Sequence, residues 1–280
     1  MKDIAAFLEE AYRRFHTLKE AEQDPVSFPR RFEDPADAEV VGIIAATLAF
    51  GRVASFMPVI ATLVARIGPH PAHALEQADR AACAAFASGV RHRWAGPGEL
   101  EDLLFAVGTL LRRDRGLSRA FLAGYRSGEV YDGLASLSAA LREAGPRVSR
   151  IVSSVGPNDP AKRLCMFLRW MVRKDEIDMG HWASLVKPSA LRIPLDVHVH
   201  RIARMVGLLP PVRSGPRRRD AIALTRTLAS MDPEDPVRFD FALSHLGISG
   251  TCTGKLDAEG CRTCPLEPAC QVLQKRAVKD

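Results

Sequence analysis

An all-α protein is predicted by three features of this 280-residue chain. Alternating β-branched stretches are scarce, alanine and leucine recur at three- and four-residue spacing, and Gly and Pro punctuate the periodic runs. Hydrophobic residues make up 47% and charged residues 26%. That balance suits a chain burying a large core, as one big domain or two modest ones.

Taken in order, residues 2–19 read as an amphipathic helix with Ile4, Phe7, Leu8, Ala11 and Phe15 on one stripe. Residues 22–35 carry three prolines and little periodicity, and read as a connector. The apolar run 40–50 predicts a deeply buried helix ended by Gly51. It is too short to cross a bilayer. Helices are expected at about 53–67, 71–88, 98–113, 117–125 and 131–145. Another follows at 161–174, with Met166, Phe167, Trp170 and Met171 toward the core. A link through Gly180, Pro188 and Pro194 leads to helices at 196–207, 216–231 and 234–246. The first residues, MKDIAAFLEEAYRRF, lack the pattern of a signal peptide, so a cytoplasmic protein with no membrane association is expected, and a monomer. A formal charge of +6 and a pI near 9.2 permit a polyanionic partner.

Four of the six cysteines fall in the run TCTGKLDAEGCRTCPLEPAC, spaced C-x8-C-x2-C-x5-C as Cys252, Cys261, Cys264 and Cys270. The run is rich in Gly, Pro and charge, so its apolar content cannot fold it, whereas a metal centre with four thiolates can. Disulfides are the competing explanation, and they suit a secreted chain better. Only one C-x2-C knuckle is present, where structural zinc sites commonly pair two; spacing alone leaves zinc and iron–sulfur both open. Cys83 and Cys165 lie in apolar helical surroundings and read as small buried hydrophobes.

The second informative run is IPLDVHVHRIARMVGLL, residues 193–209. Pro194 bars a helix just before it, and Asp196 is placed to cap the helix beginning at Val197. Capping is the plainer role. The positive end of the helix dipole also favours a negative charge there, which could face a cation forming in a pocket. His198 and His200, two residues apart, point to different sides of a helix and make no second metal site.

The Asp-x-His helix start paired with the four-cysteine loop resembles the helix-hairpin-helix DNA glycosylases of the endonuclease III type. Those proteins carry Val-Asp-Thr-His where this chain has Leu195-Asp196-Val197-His198, and their iron–sulfur loop shares the later C-x2-C-x5-C spacing. Its first gap is usually two residues shorter. FALSHLGISGTC (241–252), with His245 and Gly247, resembles the helix entering that loop, and EVVGIIAATLAFGRV (39–53) the buried helix ending at the DNA-facing wedge. RLCMFLRWMVR with IPLDVHVHRIAR is closer still to a little-characterised bacterial family placed beside these glycosylases.

Two departures stand out. The superfamily's Leu-Pro-Gly-Val-Gly hairpin is replaced by SVGPNDPAKRL (154–164), where Gly156 and the next helix start could still present N–H groups to an anion. The match to the nucleophilic lysine is Lys162, whose separation from Asp196 is nearly double the usual one unless an insertion around 174–192 absorbs it. A solvent-exposed lysine is its plainer reading, and Lys187 is a second candidate.

The resemblance implies an all-α, two-lobed fold, with a central helical domain at 37–195 and a discontinuous one from 1–36 and 196–280. It also implies a four-iron, four-sulfur cluster on Cys252, Cys261, Cys264 and Cys270. The implied function is DNA repair by excision of a damaged or mispaired base that leaves a double helix for a pocket, with Asp196 stabilising the positive sugar. Attack by Lys162 would add a lyase step. Phe50, Gly51 and Arg52 occupy the wedge position, and Trp170, Trp182 and Phe167 could line the pocket or simply be core. Arg213, Arg217, Arg218, Arg219, Lys255, Arg262, Arg91 and Arg93 would meet phosphates, or else form a solvated charged surface. The rivals are a nucleic-acid-binding protein that kept the fold without catalysis, and a zinc-stapled helical protein with a protein partner.

Overall fold

The computed structural model describes residues 2–211, 215–255 and 258–271. No strand forms among the described residues; the bridges His92–Ala95 and Lys174–Met179 stand alone. The helices are α1 (Lys2–Phe15), α2 (Leu18–Ala21), α3 (Pro35–Leu48), α4 (Val53–Ile67), α5 (Pro71–Gln77), α6 (Arg80–Ala87) and α7 (Pro97–Asp114). Then come α8 (Leu117–Leu122), α9 (Val130–Ala144), α10 (Lys162–Val172), α11 (Val197–Met205), α12 (Arg218–Ala229), α13 (Asp240–Ile248) and α14 (Ala258–Arg262).

The chain divides into two compact units. The larger takes Ala21–Gly156 and Arg163–Ala190; the smaller takes Met1–Glu20, Pro157–Lys162 and Leu191–Asp280. The expected divisions at 36/37 and 195/196 therefore sit elsewhere, and the connector 22–35 belongs with the larger unit. Its prolines start two 3-10 turns, Pro25–Ser27 and Pro29–Arg31, which pack on α3 and bury Val26 and Phe28. Arg30 ties it further to the carbonyls of Glu176 and Ile177.

In the larger unit α3 is buried on every side from Asp37 to Leu48. Asp34 caps it by accepting from Ala36 and Asp37, and Pro35 fits its first turn, where no N–H partner is needed. A Cβ on Gly42 would lie 3.1 Å from Met171 and 3.3 Å from Phe167, so the glycine admits α10 closely. Phe167, Trp170, Met171 and Trp182 are buried, which assigns the aromatic residues to the core. The second long packing axis is α7, against α5, α6 and α9. Gly108 on α7 lets the Leu75 carbonyl approach to 2.2 Å from where a Cβ would stand, a contact no other residue permits.

Three predicted helices are broken, the first of them 2–19, where the chain bends at His16 and Thr17 between α1 and α2. The run 71–88 splits because Asp79 turns outward and caps α6 through Ala82 N (2.8 Å). The helix expected from 234 begins at Asp240. Asp232 there accepts from Asp235 N, closing a turn ahead of Pro236, and Arg238 bonds Asp232 and Glu9.

In the smaller unit α13 packs on both α1 and α11. His16 and His245 meet Phe241 from two sides, edge-on at 5.6 Å and stacked at 3.9 Å.

Candidate functional site

Asp196 has extended backbone (φ −104°, ψ −175°), and its Oδ1 accepts from both His198 N and Val199 N at 2.8 Å. One oxygen thus satisfies the open end of α11, as the sequence predicts. The other, Oδ2, receives no protein donor among the described residues. The carboxylate is half-buried, and the next residue, Val197, is 61% exposed, the largest exposure among the big hydrophobic side chains of the described residues. The segment before it is fixed: Leu195 and Ile193 are buried, and Ile193 N donates to Thr225 Oγ1.

Both histidines of the run take structural places on different faces. A Cβ on Gly247 would fall 2.6 Å from the His198 Cβ, so this glycine sets how near α13 comes to the first turn of α11. His200 is buried with Nε2 3.7 Å from Asp220 Oδ2, and burial holds its imidazole below the usual histidine range against the pull of Asp220.

The cysteine loop hangs from these two helices. Cys252 N donates to the Leu246 carbonyl of α13, and Arg201 Nη2 on α11 donates to the Cys252 carbonyl at 2.7 Å. The Arg201 stem passes so near Gly254 (φ +80°) that a Cβ there would lie 2.5 Å away. Farther along, Arg14 donates to the Thr263 carbonyl and Leu266 is buried. A recess of about 330 Å³ opens between α11 and the loop, lined by His200, Arg201, Arg204 and Gly254 among others.

Burial raises the Cys264 thiol above its ordinary value; the Leu266 N–H opposes this, and Cys252, Cys261 and Cys270 add to it. All three other thiols are therefore near enough to Cys264 to resist its ionisation. Four thiols within nineteen residues are a donor set of the kind a metal centre takes, its positive charge being what lets closely spaced thiols ionise together. As placed, no group of three or more His, Cys, Asp or Glu side chains that could hold one ion forms among the described residues.

Of the remaining candidates in the smaller unit, Lys162 opens α10 and is half-buried. Ala161 before it has φ +49°, and its N–H is taken by Asp159 Oδ1 at 2.8 Å. A carboxylate of the chain's own thus holds one of the N–H groups expected to meet an anion. Arg217 and Arg219 are exposed at the start of α12, while Arg218 N bonds the Asn158 carbonyl. Lys255 and Arg262 are exposed on the cysteine loop, and Arg213 lies outside the described residues.

In the larger unit Gly156 has open space where a Cβ would stand, and it is Val155 that takes the left-handed conformation (φ +51°). Phe50 is half-buried and Arg52 exposed in the bend between α3 and α4. The reading from sequence missed Glu39, a buried carboxylate directly before the apolar run. Its oxygens accept from Leu117 N (3.0 Å), Ser118 N (3.2 Å) and Trp182 Nε1 (2.9 Å). An acidic residue beside a nearly unbroken apolar run was the available signal, but its partners are 78 or more positions away.

A family model described as a protein of unknown function (DUF2400) matches residues 24–249, ending just before Cys252. No curated protein and no solved structure matches the chain.

Proposed function

This chain belongs to that family of unknown function, and from the resemblance of residues 193–209 and 252–270 to the helix-hairpin-helix glycosylases we propose that it is a DNA glycosylase-like enzyme with that two-lobed fold. The observation that carries the reading is the half-satisfied carboxylate of Asp196: Oδ1 is spent on the helix end, while Oδ2 has no protein donor among the described residues and sits beside an exposed apolar side chain. A carboxylate fixed by one oxygen and open at the other suits stabilising a cationic sugar, or orienting water, as a base departs. Lys162 is the proposed nucleophile if a lyase step follows.

Cys252, Cys261, Cys264 and Cys270 would hold a four-iron, four-sulfur cluster. Bound there, the group would supply a structural crosslink and take no part in hydrolysis. The chain's residues do the rest: Arg201 fixes the loop to α11 through the Cys252 carbonyl, and Lys255 and Arg262 stand exposed where phosphate could approach. DNA is the proposed partner.

The test is base release from duplexes carrying oxidised, alkylated, deaminated or mismatched bases, wild type against Asp196→Asn, with borohydride added to trap a Schiff base. Release lost in Asp196→Asn supports the enzyme; a trapped adduct lost in Lys162→Gln supports the lyase step. The second reading, a nucleic-acid-binding protein without catalysis, draws on Asp159 holding the N–H of Ala161 at the expected anion site. Salt-dependent binding without release, unchanged in Asp196→Asn, would establish it. Zinc without acid-labile sulfide on metal analysis would support the zinc-stapled alternative instead.

A further inference from the structure

The basic turn 91–94 and the bend 50–52, separate in sequence, form one face of the larger unit. His92 is buried, and its Nε2 lies 2.7 Å from the Phe50 carbonyl, while its ring meets the Phe50 ring at 4.4 Å. Trp94 stacks on Phe50 at 4.5 Å with the planes 15° apart, and the Arg163 guanidinium lies 5.2 Å from the centre of the same Phe50 ring. Gly51 (φ +89°) makes the meeting possible, since a Cβ there would strike the Arg93 guanidinium at 2.6 Å. Arg93 itself is held in the left-handed region (φ +52°).

Trp94 is 48% exposed although Phe50 covers one face of its indole. Its N–H is already committed to the Arg150 carbonyl at 3.2 Å, so what it offers outward is a ring surface and no donor. Arg52, Arg91 and Arg93 are exposed on the same two segments and make no ion pair among the described residues. The acid next in sequence, Glu99, accepts from Gly96 N and Arg150. An oriented aromatic face on segments that also carry exposed guanidinium groups matches a ligand that is flat at one point and anionic beside it.

We propose that Trp94, backed by Phe50, is a stacking platform for an unpaired DNA base, with Arg52, Arg91 and Arg93 meeting the flanking phosphates. This rests on the reading of the chain as a DNA-acting protein and adds to it the residue, Trp94, on which an unstacked base would rest. Regular duplex offers no free ring face, whereas a strand with an unstacked base offers both ring and phosphate.

Intrinsic fluorescence tests this directly. Trp170 and Trp182 are 0% and 4% exposed, so quenching by added ligand reports Trp94. The 280-residue protein, as purified, is titrated with a single-stranded oligodeoxynucleotide, an abasic strand of equal length, and heparin. Quenching by the base-containing strand, markedly weaker with the other two, is expected. Trp94→Ala should weaken binding of that strand, followed by anisotropy, on the order of tenfold or more, and Trp94→Phe should retain most of it. Circular dichroism and thermal melting of both variants separate a lost platform from a lost fold. Equal quenching by heparin or the abasic strand, no quenching at all, or unaltered binding by folded Trp94→Ala would overturn the proposal. Binding needs no chemistry: base release without Trp94 quenching removes the platform and leaves the enzyme, and quenching without base release does the reverse.

Discussion

Glu39 and Asp196 are both acidic side chains that hold the first turn of a helix, and they do so in opposite ways. Glu39 reaches from the buried helix α3 to the distant start of α8, and three N–H groups converge on its two oxygens. Asp196 caps the helix that follows it directly and uses one oxygen, in a half-buried place. A carboxylate with both oxygens engaged by buried donors has nothing left to offer a ligand, and its work is structural. One with an oxygen to spare can hold its own helix and still act outward. Acidity and capping are common to both; the unused acceptor distinguishes them.

The comparison predicts that the two can be separated by substitution. Asp196→Asn keeps a good cap, so melting temperature should stay nearly unchanged while base release falls by about 10²–10⁴-fold. Asp196→Ala should lose the same activity and in addition about 1 kcal/mol of stability, read by urea denaturation. Equal activity in wild type and Asp196→Asn would erase the distinction. Next in size, Glu39→Ala should cost about 2–4 kcal/mol, because it strands buried donors at Leu117, Ser118 and Trp182. A loss under about 1 kcal/mol would mean that those groups find other partners.

Much of this was legible in the sequence, and the rest was hidden for definable reasons. The burial of α3 showed in its unbroken apolar run, and the capping role of Asp196 showed because it is local, involving only the next three residues. The split at Asp79 was masked by alanine-rich periodicity on both sides, which reads as one helix until the side chain is seen to turn back. The role of Glu39 and the meeting of Trp94 with Phe50 depend on chain segments that only tertiary packing brings together. The cysteine pattern was visible at once, yet the family match stops before it, so that loop stands on its own chemistry.

A smaller effect sharpens the surroundings of Asp196. Gly247→Ala on α13 would press a methyl group against His198, costing about 1–3 kcal/mol and shifting the first turn of α11. Activity should fall further than stability alone explains, checked by assaying well below the melting temperature. The smallest is a pH dependence. Burial raises the Glu39 carboxyl above its ordinary 4.5, against the lowering by Leu117, Ser118 and Trp182. A carboxyl raised on folding contributes stability that is complete below the unfolded value and is lost as pH climbs through the raised one. Glu39→Gln has no such titration. Urea midpoints across that range should therefore move in the variant's favour as pH rises, and parallel curves would show that Glu39 does not titrate differently on folding.

The reach of Glu39 also bears on how the molecule breathes. A six-residue helix ordinarily frays from its ends, and its first amides exchange with solvent hydrogen quickly. In α8 the amides of Leu117 and Ser118 are held by a residue 78 and 79 positions earlier, in the buried first half of α3. They are released only when α3 itself withdraws. Hydrogen exchange at these two positions should thus keep pace with the slowest amides of the larger unit, making the start of this short helix a clock for cooperative opening.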